Sequence, residues 1–360
     1  MEFRPIPIAE QVADHLRQEL RRRTWTGLMP GKHALAAEFG VNNKTVEVAL
    51  RQLEKEGLLV PQGAGRRRLV GQVGKKSSAG TLRIGLLLHS AVDRGKGHVI
   101  DLQHRLIEGG HGVVVAPRHL VELKMEPRRV ARVVGSHEVD AWIVLAGSFE
   151  VLEWFSARKP PVFALFGRRR ELMIPGVGPD KPPAYEAATR KLVRLGHRRI
   201  VLLCAPDRRV PEPGASERAF LAEIAAHGIP VSRYQLPDWD GDVESLHPRL
   251  KSLFRYTPPS AMIVDGVAPF AAVMQFLCRK GLRVPEDVSV ICTDHADWFD
   301  WLRPSVAHIR WDPKPVVRRI VRWADNVSGG REDIRQIETP AEFVPGGTIG
   351  PVHASAKRRR

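Results

Sequence analysis

The segment Leu35–Leu59, LAAEFGVNNKTVEVALRQLEKEGLL, decides how the N-terminal part of the chain folds. It predicts two helices separated by a tight turn at Gly40, a residue that adopts the left-handed backbone conformation at little cost. Asn42 or Asn43 can cap the second helix, and Gly57 ends it. Apolar residues at helical spacing give this helix one buried face, formed by Val46, Ala49, Leu50 and Leu53.

The flanking residues complete a small domain. Before the segment, Ile8, Val12, Leu16 and Leu20 recur at four-residue spacing and predict an amphipathic helix. After it, Leu58–Val60 and Arg66–Val70 enclose a glycine-rich tip and predict a β-hairpin. This order of elements is typical of a helix-turn-helix with a wing. It favours DNA binding over the alternative, a small helical domain whose charges form only a solvated surface.

In such a domain the last helix presents its first turns to base edges in the major groove, while the wing places guanidinium groups along the phosphates. We therefore predict that double-stranded DNA is a partner. The residues expected to contact bases are Asn43, Lys44, Thr45 and Glu47. Those expected to contact phosphates are Lys32, Arg51, Arg66, Arg67 and Arg68.

Charge and composition divide the chain. Its 360 residues include 56 Lys and Arg against 40 Asp and Glu, a net charge of +16, which favours anionic partners. Residues 1–80 hold +6 of this charge. The stretch GQVGKKSSAG has almost no apolar residues and predicts a flexible linker. The expected divisions are a DNA-binding domain at 1–70, the linker at 71–80, a second domain at 81–351 and a basic tail at 352–360.

After Thr81, short and nearly continuous apolar runs alternate with longer amphipathic stretches. Parallel strands that are covered by helices on both faces lose their polar alternation, so the pattern predicts a doubly wound α/β fold. About 270 residues of this pattern correspond to two subdomains. The runs are Leu82–Leu88, Val113–Ala116, Ala141–Ala146, Val162–Phe166, Ile200–Cys204, Ala261–Val264 and Val288–Cys292.

One of these runs carries a candidate ligand-binding residue. Gly281–His295, GLRVPEDVSVICTDH, is a surface loop followed by a buried strand that ends at Asp294. Ligands of open α/β sheets bind at the carboxyl ends of the strands, so Asp294 can accept hydrogen bonds from ligand hydroxyl or amino groups. An aspartate in this place can equally cap the following turn, and the residues alone leave both interpretations open.

Several classes of protein lack a starting motif here. No run reaches the roughly 18 apolar residues of a membrane span, and the N-terminus does not resemble a signal peptide, so we expect a cytoplasmic protein with no membrane partner. The chain has no phosphate-binding loop, zinc-peptidase or hydrolase motif, so we expect no enzyme activity, cofactor or metal. Cys204, Cys278 and Cys292 lie far apart in apolar runs and are predicted to be core residues.

Residues 6–70 resemble the winged-helix domain of the GntR family of bacterial regulators. The resemblance is carried by LMPG at Leu28–Gly31, by the segment Leu35–Leu59 and by GAG at Gly63–Gly65. The family usually has about five more residues before the second helix, including a DNA-contacting Ser and Arg. It also usually has arginine where Asn43 and Glu47 stand. Asparagine pairs with adenine and glutamate accepts from cytosine, so we expect a different operator sequence.

Residues 81–351 are similar to the periplasmic-binding-protein-like effector domain of the LacI/GalR family of repressors. The resemblance implies two α/β subdomains with a small-molecule effector between them, and subunits paired as homodimers. It also implies three crossovers between the subdomains, near Asp180, Asp294 and Asp312. The residues that carry it are Val177–Ile200, Pro259–Val264, Val284–Asp294 and Phe343–Pro351.

The same resemblance implies which side chains contact the effector. Asp294 matches a family residue that holds sugar hydroxyls, and the family's sugar-binding arginine corresponds to Ser216, with Arg218 two positions away. Asp265 stands one step before the family's usual Asn-Asp pair. Trp239 lies near a position where an aromatic ring stacks on a sugar, although a tryptophan is as often a core residue. The expected contacts are Ser90, Ser216, Arg218, Trp239, Asp265 and Asp294.

Together the two resemblances imply a cytoplasmic transcription regulator, a repressor, that binds operator DNA and responds to a sugar-like metabolite. The alternative is a solute-binding or sensor protein of the periplasmic type. That class shares the second domain, but it carries an export signal and has no winged helix.

Overall fold

The computed structural model describes residues 8–21, 25, 27–55, 59–62, 67–70 and 80–352. The chain divides into two compact units, residues 1–80 and 81–360. Three predicted features lie outside the described residues: the linker up to residue 79, the tail from residue 353, and the hairpin tip at residues 63–66, which includes Arg66.

The first unit contains the helices and the hairpin that the sequence predicts. Its elements are α1 (Ile8–Arg21), α2 (Lys32–Phe39), α3 (Asn43–Lys55), β1 (Leu59–Val60) and β2 (Leu69–Val70). The two strands pair antiparallel, and Leu28 forms an additional bridge to Leu69. The apolar faces of the three helices meet in one core, which includes Val12, Leu16, Leu35, Val46, Leu50 and Leu53.

The turn between α2 and α3 forms as predicted. Gly40 has φ 62° and ψ 31°, the left-handed conformation, and its N–H donates to the carbonyl of Ala36. Asn42 is the residue that caps α3. Its Oδ1 accepts from the backbone N–H of Thr45 at 2.7 Å and from the Thr45 hydroxyl at 2.9 Å. These bonds satisfy donors that the first turn of a helix leaves without an internal partner.

The second unit is a ten-stranded sheet covered by helices. In sheet order its strands run β4-β3-β5-β6-β7-β12-β11-β10-β9-β8. The strands are β3 (Arg83–Leu87), β4 (Gly112–Val115), β5 (Ala141–Leu145), β6 (Val162–Leu165), β7 (Gly176–Asp180), β8 (Ile200–Leu203), β9 (Ala261–Val264), β10 (Ser289–Cys292), β11 (Ala307–Trp311) and β12 (Gln336–Val344). The helices are α4 (Gly97–Glu108), α5 (Pro127–Gly135), α6 (Phe149–Ser156), α7 (Pro182–Arg194), α8 (Pro206–Arg209), α9 (Ala215–Ala226), α10 (Val243–Tyr256), α11 (Val267–Arg279) and α12 (Pro313–Ser328). All seven predicted apolar runs form strands, which confirms the α/β class.

A single strand joins the two halves of this sheet. The first part of β12, Gln336–Pro340, pairs parallel with β7, and the second part, Ala341–Val344, pairs antiparallel with β11. The first subdomain therefore consists of β3 to β7 with α4, α5, α6 and α12. The second consists of β8 to β11 with α7 to α11. Each has its own buried apolar clusters.

The chain passes between the subdomains at three places. It crosses from β7 to α7 after Asp180, from β11 to α12 at Asp312, and within β12 between Pro340 and Ala341. The crossover expected near Asp294 does not form. The strands on either side of it, β10 and β11, pair parallel with each other in the same sheet, so the chain remains in the second subdomain there.

The sequence predicts three cysteines in the core and no membrane-spanning segment. Cys204 and Cys292 are buried at the ends of strands, as predicted, but Cys278 is exposed on α11 and is not a core residue. The three thiols form no disulfide. Within the described ranges, no helix has the length and apolar content needed to cross a bilayer.

A buried ion pair ties the start of β12 to α12. Arg319 donates to both carboxylate oxygens of Asp333, at 3.0 and 2.8 Å, and the two side chains are only 4% and 2% exposed. Asn326 adds a hydrogen bond to Asp333 at 2.8 Å. Burial by itself would raise the pKa of Asp333, but hydrogen bonds from Arg335 and Asn326 and the charge of Arg319 outweigh it and hold this pKa well below its usual range.

Replacing Asp333 tests how much this pair stabilises the unit. We expect Asp333→Asn to lower the free energy of unfolding of the full chain at pH 7 by about 3 kcal/mol, because it leaves Arg319 buried without a counter-charge. The lowered pKa means that the carboxylate stabilises the fold above about pH 4 and that this contribution is lost as the pH falls further, so the difference between the proteins shrinks in acid.

Urea unfolding at several pH values measures both effects. The matched control is Glu342→Gln, which breaks the exposed pair with Arg310, whose side chains are 54% and 62% exposed, and which should cost less than about 1 kcal/mol. Equal losses in the two variants would contradict the role assigned to the buried pair.

Candidate functional site

The outward face of α3 gathers most of the residues predicted to contact bases. Asn43 and Lys44 are exposed, and Thr45 and Glu47 are half-buried, on the side opposite the helix core. The Thr45 hydroxyl is bound to the capping side chain, so it is already engaged. Val48, which is 55% exposed on the same face, is not among the residues that the sequence predicts for this site. The signal available for it was a β-branched apolar residue at a position where the helix pattern predicts exposure.

The wing is attached to α3 by Arg68. Its Nε donates to Glu54 at 2.5 Å and its Nη2 donates to Glu47 at 2.8 Å, while the side chain is only 15% exposed. The hydrogen bond from Arg68 lowers the pKa of Glu47, and the nearby charges of Arg68, Lys32 and Arg51 lower it further. Arg68 therefore has a structural role in place of the expected phosphate contact, because two carboxylates occupy its donors. Glu47 is likewise held by the wing.

Among the described residues, the three other expected phosphate contacts keep exposed side chains. Lys32 is the first residue of α2, Arg67 precedes β2, and Arg51 lies on α3 with its Nε 3.5 Å from Glu47. Arg51 is 70% exposed, so this weak ion pair leaves most of its guanidinium group accessible. The first unit thus presents three cations beside the outward face of α3.

The second candidate site is the cleft between the two subdomains, whose walls contact each other. Arg168, which follows β6 in the first subdomain, reaches across to the loop after β8 in the second. Its Nη2 donates to the carbonyls of Asp207, Val210 and Glu212 at 3.1, 3.2 and 2.6 Å. The Asp207 carboxylate also lies 4.0 Å from His89 Nε2 of the first subdomain. These contacts hold the cleft closed on this side.

Two predicted ligand-binding carboxylates lie together on the wall of the second subdomain. Asp265 follows β9 and accepts from the Thr293 hydroxyl at 2.7 Å, and Asp294 follows β10. Lys181, at the first crossover, donates to Asp294 Oδ1 at 2.6 Å and to the Thr293 carbonyl at 3.1 Å. The carboxyl ends of neighbouring strands thus bring both aspartates to one edge of the sheet; the sequence predicts this place for Asp294, and the resemblance implies Asp265.

The opposite wall carries Ser90, Asp93 and Lys96. Ser90 donates to the buried carboxylate of Asp93 through its backbone N–H at 2.7 Å and its hydroxyl at 3.1 Å, and Lys96 pairs with Asp93 at 2.8 Å. Burial would lower the pKa of Lys96, but Asp93 on its own wall and Asp294 and Asp265 on the facing wall raise it. Charges on the two walls therefore attract each other across the cleft.

An aromatic cluster that the sequence did not reveal lies beside these charges. The ring of His98 is 5.8 Å from Phe166 and 5.4 Å from Trp311, all in edge-to-face arrangements. Burial lowers the pKa of His98 to about 4, so the ring is neutral at physiological pH. Its Nε2 is buried without a hydrogen-bond partner among the described residues. The cluster therefore places aromatic rings next to a buried polar atom.

The structure corrects the expected position of the arginine in this site. Arg218 is exposed and donates to the Pro213 carbonyl at 2.7 Å, while Ser216 is buried in α9. Arg208 is instead the arginine whose charge acts on Asp265. It pairs with the buried Glu217 at 2.8 Å, and its charge outweighs burial and helps to lower the pKa of Asp265. The sequence could not reveal this, because Arg208 meets Glu217 only through the fold of the loop before α9.

Trp239 is a core residue. It is 6% exposed, packs in the apolar core of the second subdomain, and donates its indole N–H to the Cys204 carbonyl at 2.6 Å. The ring therefore does not offer a face on which a sugar could stack. Phe166 and Trp311 lie at the crossover side of the cleft and supply the aromatic surface that was expected from Trp239.

Comparison with known proteins assigns the two units to families. Residues 8–66 match the gntR family of bacterial regulatory proteins. Residues 189–349 match the periplasmic binding protein-like domain. Each match falls on one of the two units that carry the candidate sites.

Curated relatives are regulators. An uncharacterized HTH-type transcriptional regulator of Streptomyces limosus is 29% identical over 155 residues, 42% of this chain and 44% of the relative. The arabinose metabolism transcriptional repressor of Geobacillus stearothermophilus is 24% identical over 291 residues, 74% of this chain and 75% of the relative. The chain thus spans less than half of the first relative's length and three quarters of the second's.

Solved structures of LacI family regulators share the fold of the second unit. One from Bacillus cereus subsp. cytotoxis superposes with a TM-score of 0.65 at 17% identity and covers 76% of this chain and 100% of its own. Another, from Enterococcus faecium with bound ribose, has a TM-score of 0.60 at 17% identity and covers 75% and 100%. The chain therefore joins an N-terminal domain of the gntR family of bacterial regulatory proteins to a C-terminal periplasmic binding protein-like domain.

Proposed function

We propose that this protein is a transcription regulator, a repressor, that binds double-stranded operator DNA through its winged helix and a small sugar-like effector through its cleft. The observation that carries the proposal is the presence, in one chain, of an exposed recognition-helix face and a two-walled polar cleft. An arabinose repressor and a ribose-bound LacI family regulator among the similar proteins support the class of effector. The solute-binding alternative has no use for the winged helix.

The charges of the first unit suit DNA. Lys32, Lys44, Arg51 and Arg67 are exposed cations that can replace counterions on the phosphates. Asn43 projects from the first turn of α3, where side chains reach base edges. Because Arg68 pairs with both Glu47 and Glu54, and Arg51 also lies 3.5 Å from Glu47, neither carboxylate faces the phosphates unpaired.

The cleft suits a polyhydroxyl ligand. Asp265 and Asp294 offer carboxylate oxygens for hydroxyl donors, and the edge of the aromatic cluster offers apolar contact to the carbon skeleton of a sugar. Lys181 occupies one oxygen of Asp294. A ligand hydroxyl that binds Asp294 therefore shares this carboxylate with a side chain of the first crossover.

Binding in the cleft can control DNA binding only if the effector prefers one arrangement of the subdomains. We propose that the protein acts as a cytoplasmic homodimer in which closure of the clefts changes the separation of the two winged helices. A dimer reads two half-sites at a fixed spacing, so such a change alters operator affinity. No catalytic step enters this scheme.

The division of roles in the winged helix is tested by salt-dependent binding to DNA selected by the protein. Arg67→Ala should weaken binding to all sequences alike and reduce the slope of log affinity against log salt by about 1. Asn43→Ala should instead change the preference among sequences.

Arg68→Ala should lower DNA affinity more than Arg67→Ala does, because it leaves two carboxylates unpaired. Adding Glu47→Gln to Arg68→Ala should restore part of the lost affinity. Arg118→Ala in the second unit is the control. A wild-type affinity that does not depend on salt would contradict the model.

The effector site is tested by a thermal-shift screen of neutral monosaccharides with the full chain. A bound sugar should raise the melting temperature of the wild type, and Asp265→Asn and Asp294→Asn should abolish the shift. Asp297→Asn, an exposed carboxylate near the same strand, is the control and should respond like the wild type. A sugar shift that survives in both cleft variants would exclude this site.

The contact made by Arg168 gives a separate prediction. Arg168→Ala removes three hydrogen bonds between the walls, so the cleft should open. Sugar affinity should fall by up to about a hundredfold, since each such bond contributes about 1 kcal/mol and about 1.4 kcal/mol corresponds to tenfold. Small-angle X-ray scattering should show a larger radius of gyration. Arg158→Ala, whose side chain donates to the Trp154 carbonyl and lies over the Trp154 ring of the preceding helix, should leave both measurements unchanged. Unchanged scattering in Arg168→Ala would show that other contacts hold the cleft closed.

A further inference from the structure

The outward face of α3 has an apolar residue at its centre. Val48 is 55% exposed, and it lies one helical turn after Lys44 and one turn before Arg51. Residues at these spacings occupy the same side of a helix. The buried residues of α3 face the opposite side and pack on α1 and α2. Val48 therefore points away from the domain core, toward whatever the helix contacts.

The neighbours of Val48 leave it accessible. Glu47, which precedes it, is drawn toward the wing by the hydrogen bond to Arg68. The side chains of Asn43 and Lys44 make no hydrogen bond or ion pair with any described residue. The result is an isopropyl group between two cations, with the adjacent carboxylate held to one side.

The chemistry of the major groove restricts what an isopropyl group can contact there. Base edges in this groove present hydrogen-bond donors and acceptors, and the apolar feature among them is the 5-methyl group of thymine. Covering a polar base edge with valine would remove water from that edge without replacing its hydrogen bond, which is unfavourable. A thymine methyl group instead gains apolar contact with the side chain.

We propose that Val48 is a specificity-determining residue that contacts the 5-methyl group of one thymine in each operator half-site. This inference rests on the proposed DNA-binding function. Four residues of helix span about 6 Å along the axis, roughly two base-pair steps. The thymine therefore lies roughly two base pairs from the base that Lys44 contacts. Base preference then comes from Val48 at the first position and from Lys44 at the second.

Removal of a single methyl group from DNA tests the contact directly. Duplexes are first selected from a random pool by the wild-type full chain, and each thymine of the selected site is then replaced, one at a time, by deoxyuridine. At one thymine per half-site, the wild type should lose about fourfold in affinity, the value of one buried methylene-sized group. Val48→Ala should bind the thymine and deoxyuridine forms of that position equally.

Two variants serve as controls. Val92→Ala removes another highly exposed valine, in the second unit, and should retain the full deoxyuridine effect. Lys44→Ala should change base preference about two base pairs away and keep the deoxyuridine effect. Val48→Ala should fold normally, because its side chain is exposed and alanine is the better helix former, and circular dichroism checks this.

The outcomes separate this inference from the function on which it rests. If selected DNA binds tightly but no deoxyuridine substitution matters, or if Val48→Ala keeps the same deoxyuridine penalty as the wild type, the contact does not exist and DNA binding stands. If no DNA is selected at any salt concentration, the proposed function itself fails, and this inference fails with it.

Discussion

The strand β12 belongs to both halves of the second unit, and the geometry of the cleft depends on that sharing. Its first five residues complete the sheet of one subdomain and its last four complete the sheet of the other. The ion pair between Arg319 and Asp333 holds the start of the strand to α12, so one end of this connection is rigid. Two sheets joined by one strand and two further crossovers can move relative to each other only by bending at those three places.

The residues at these crossovers are also residues of the cleft. Lys181 follows the first crossover and binds Asp294, the predicted ligand carboxylate, while Trp311 ends at the second crossover and packs on His98. Lys181 thus links Asp294 to the first crossover, and Trp311 links the aromatic cluster to the second. A ligand at either place would change the contacts of a residue beside a segment that must bend, which would couple its binding to subdomain motion.

In the first unit, one partly buried arginine organises the outward face of α3. Arg68 binds Glu47 and Glu54 and so fixes the wing against α3. It also pairs two carboxylates beside a face on which Lys44 and Arg51 are exposed. The charge pattern of a recognition helix thus depends on a neighbouring strand as well as on its own residues, and the departure from the usual arginine at position 47 is balanced within the domain.

Local sequence patterns were enough to predict the helices of the first unit, the turn at Gly40 and seven strands of the second unit, since these rest on local periodicity and on runs of apolar residues. It did not reveal β7, β11 and β12, because strands that border the cleft are partly exposed and carry glycine, proline or charged residues. Three features became clear only from the fold: the charge of Arg208 and not of Arg218 lowers the pKa of Asp265, Trp239 is buried, and Arg68 binds carboxylates. Each of these depends on contacts between residues distant in the chain, and a charged or aromatic side chain has the same local signature whether its partner is solvent, a ligand or another part of the protein.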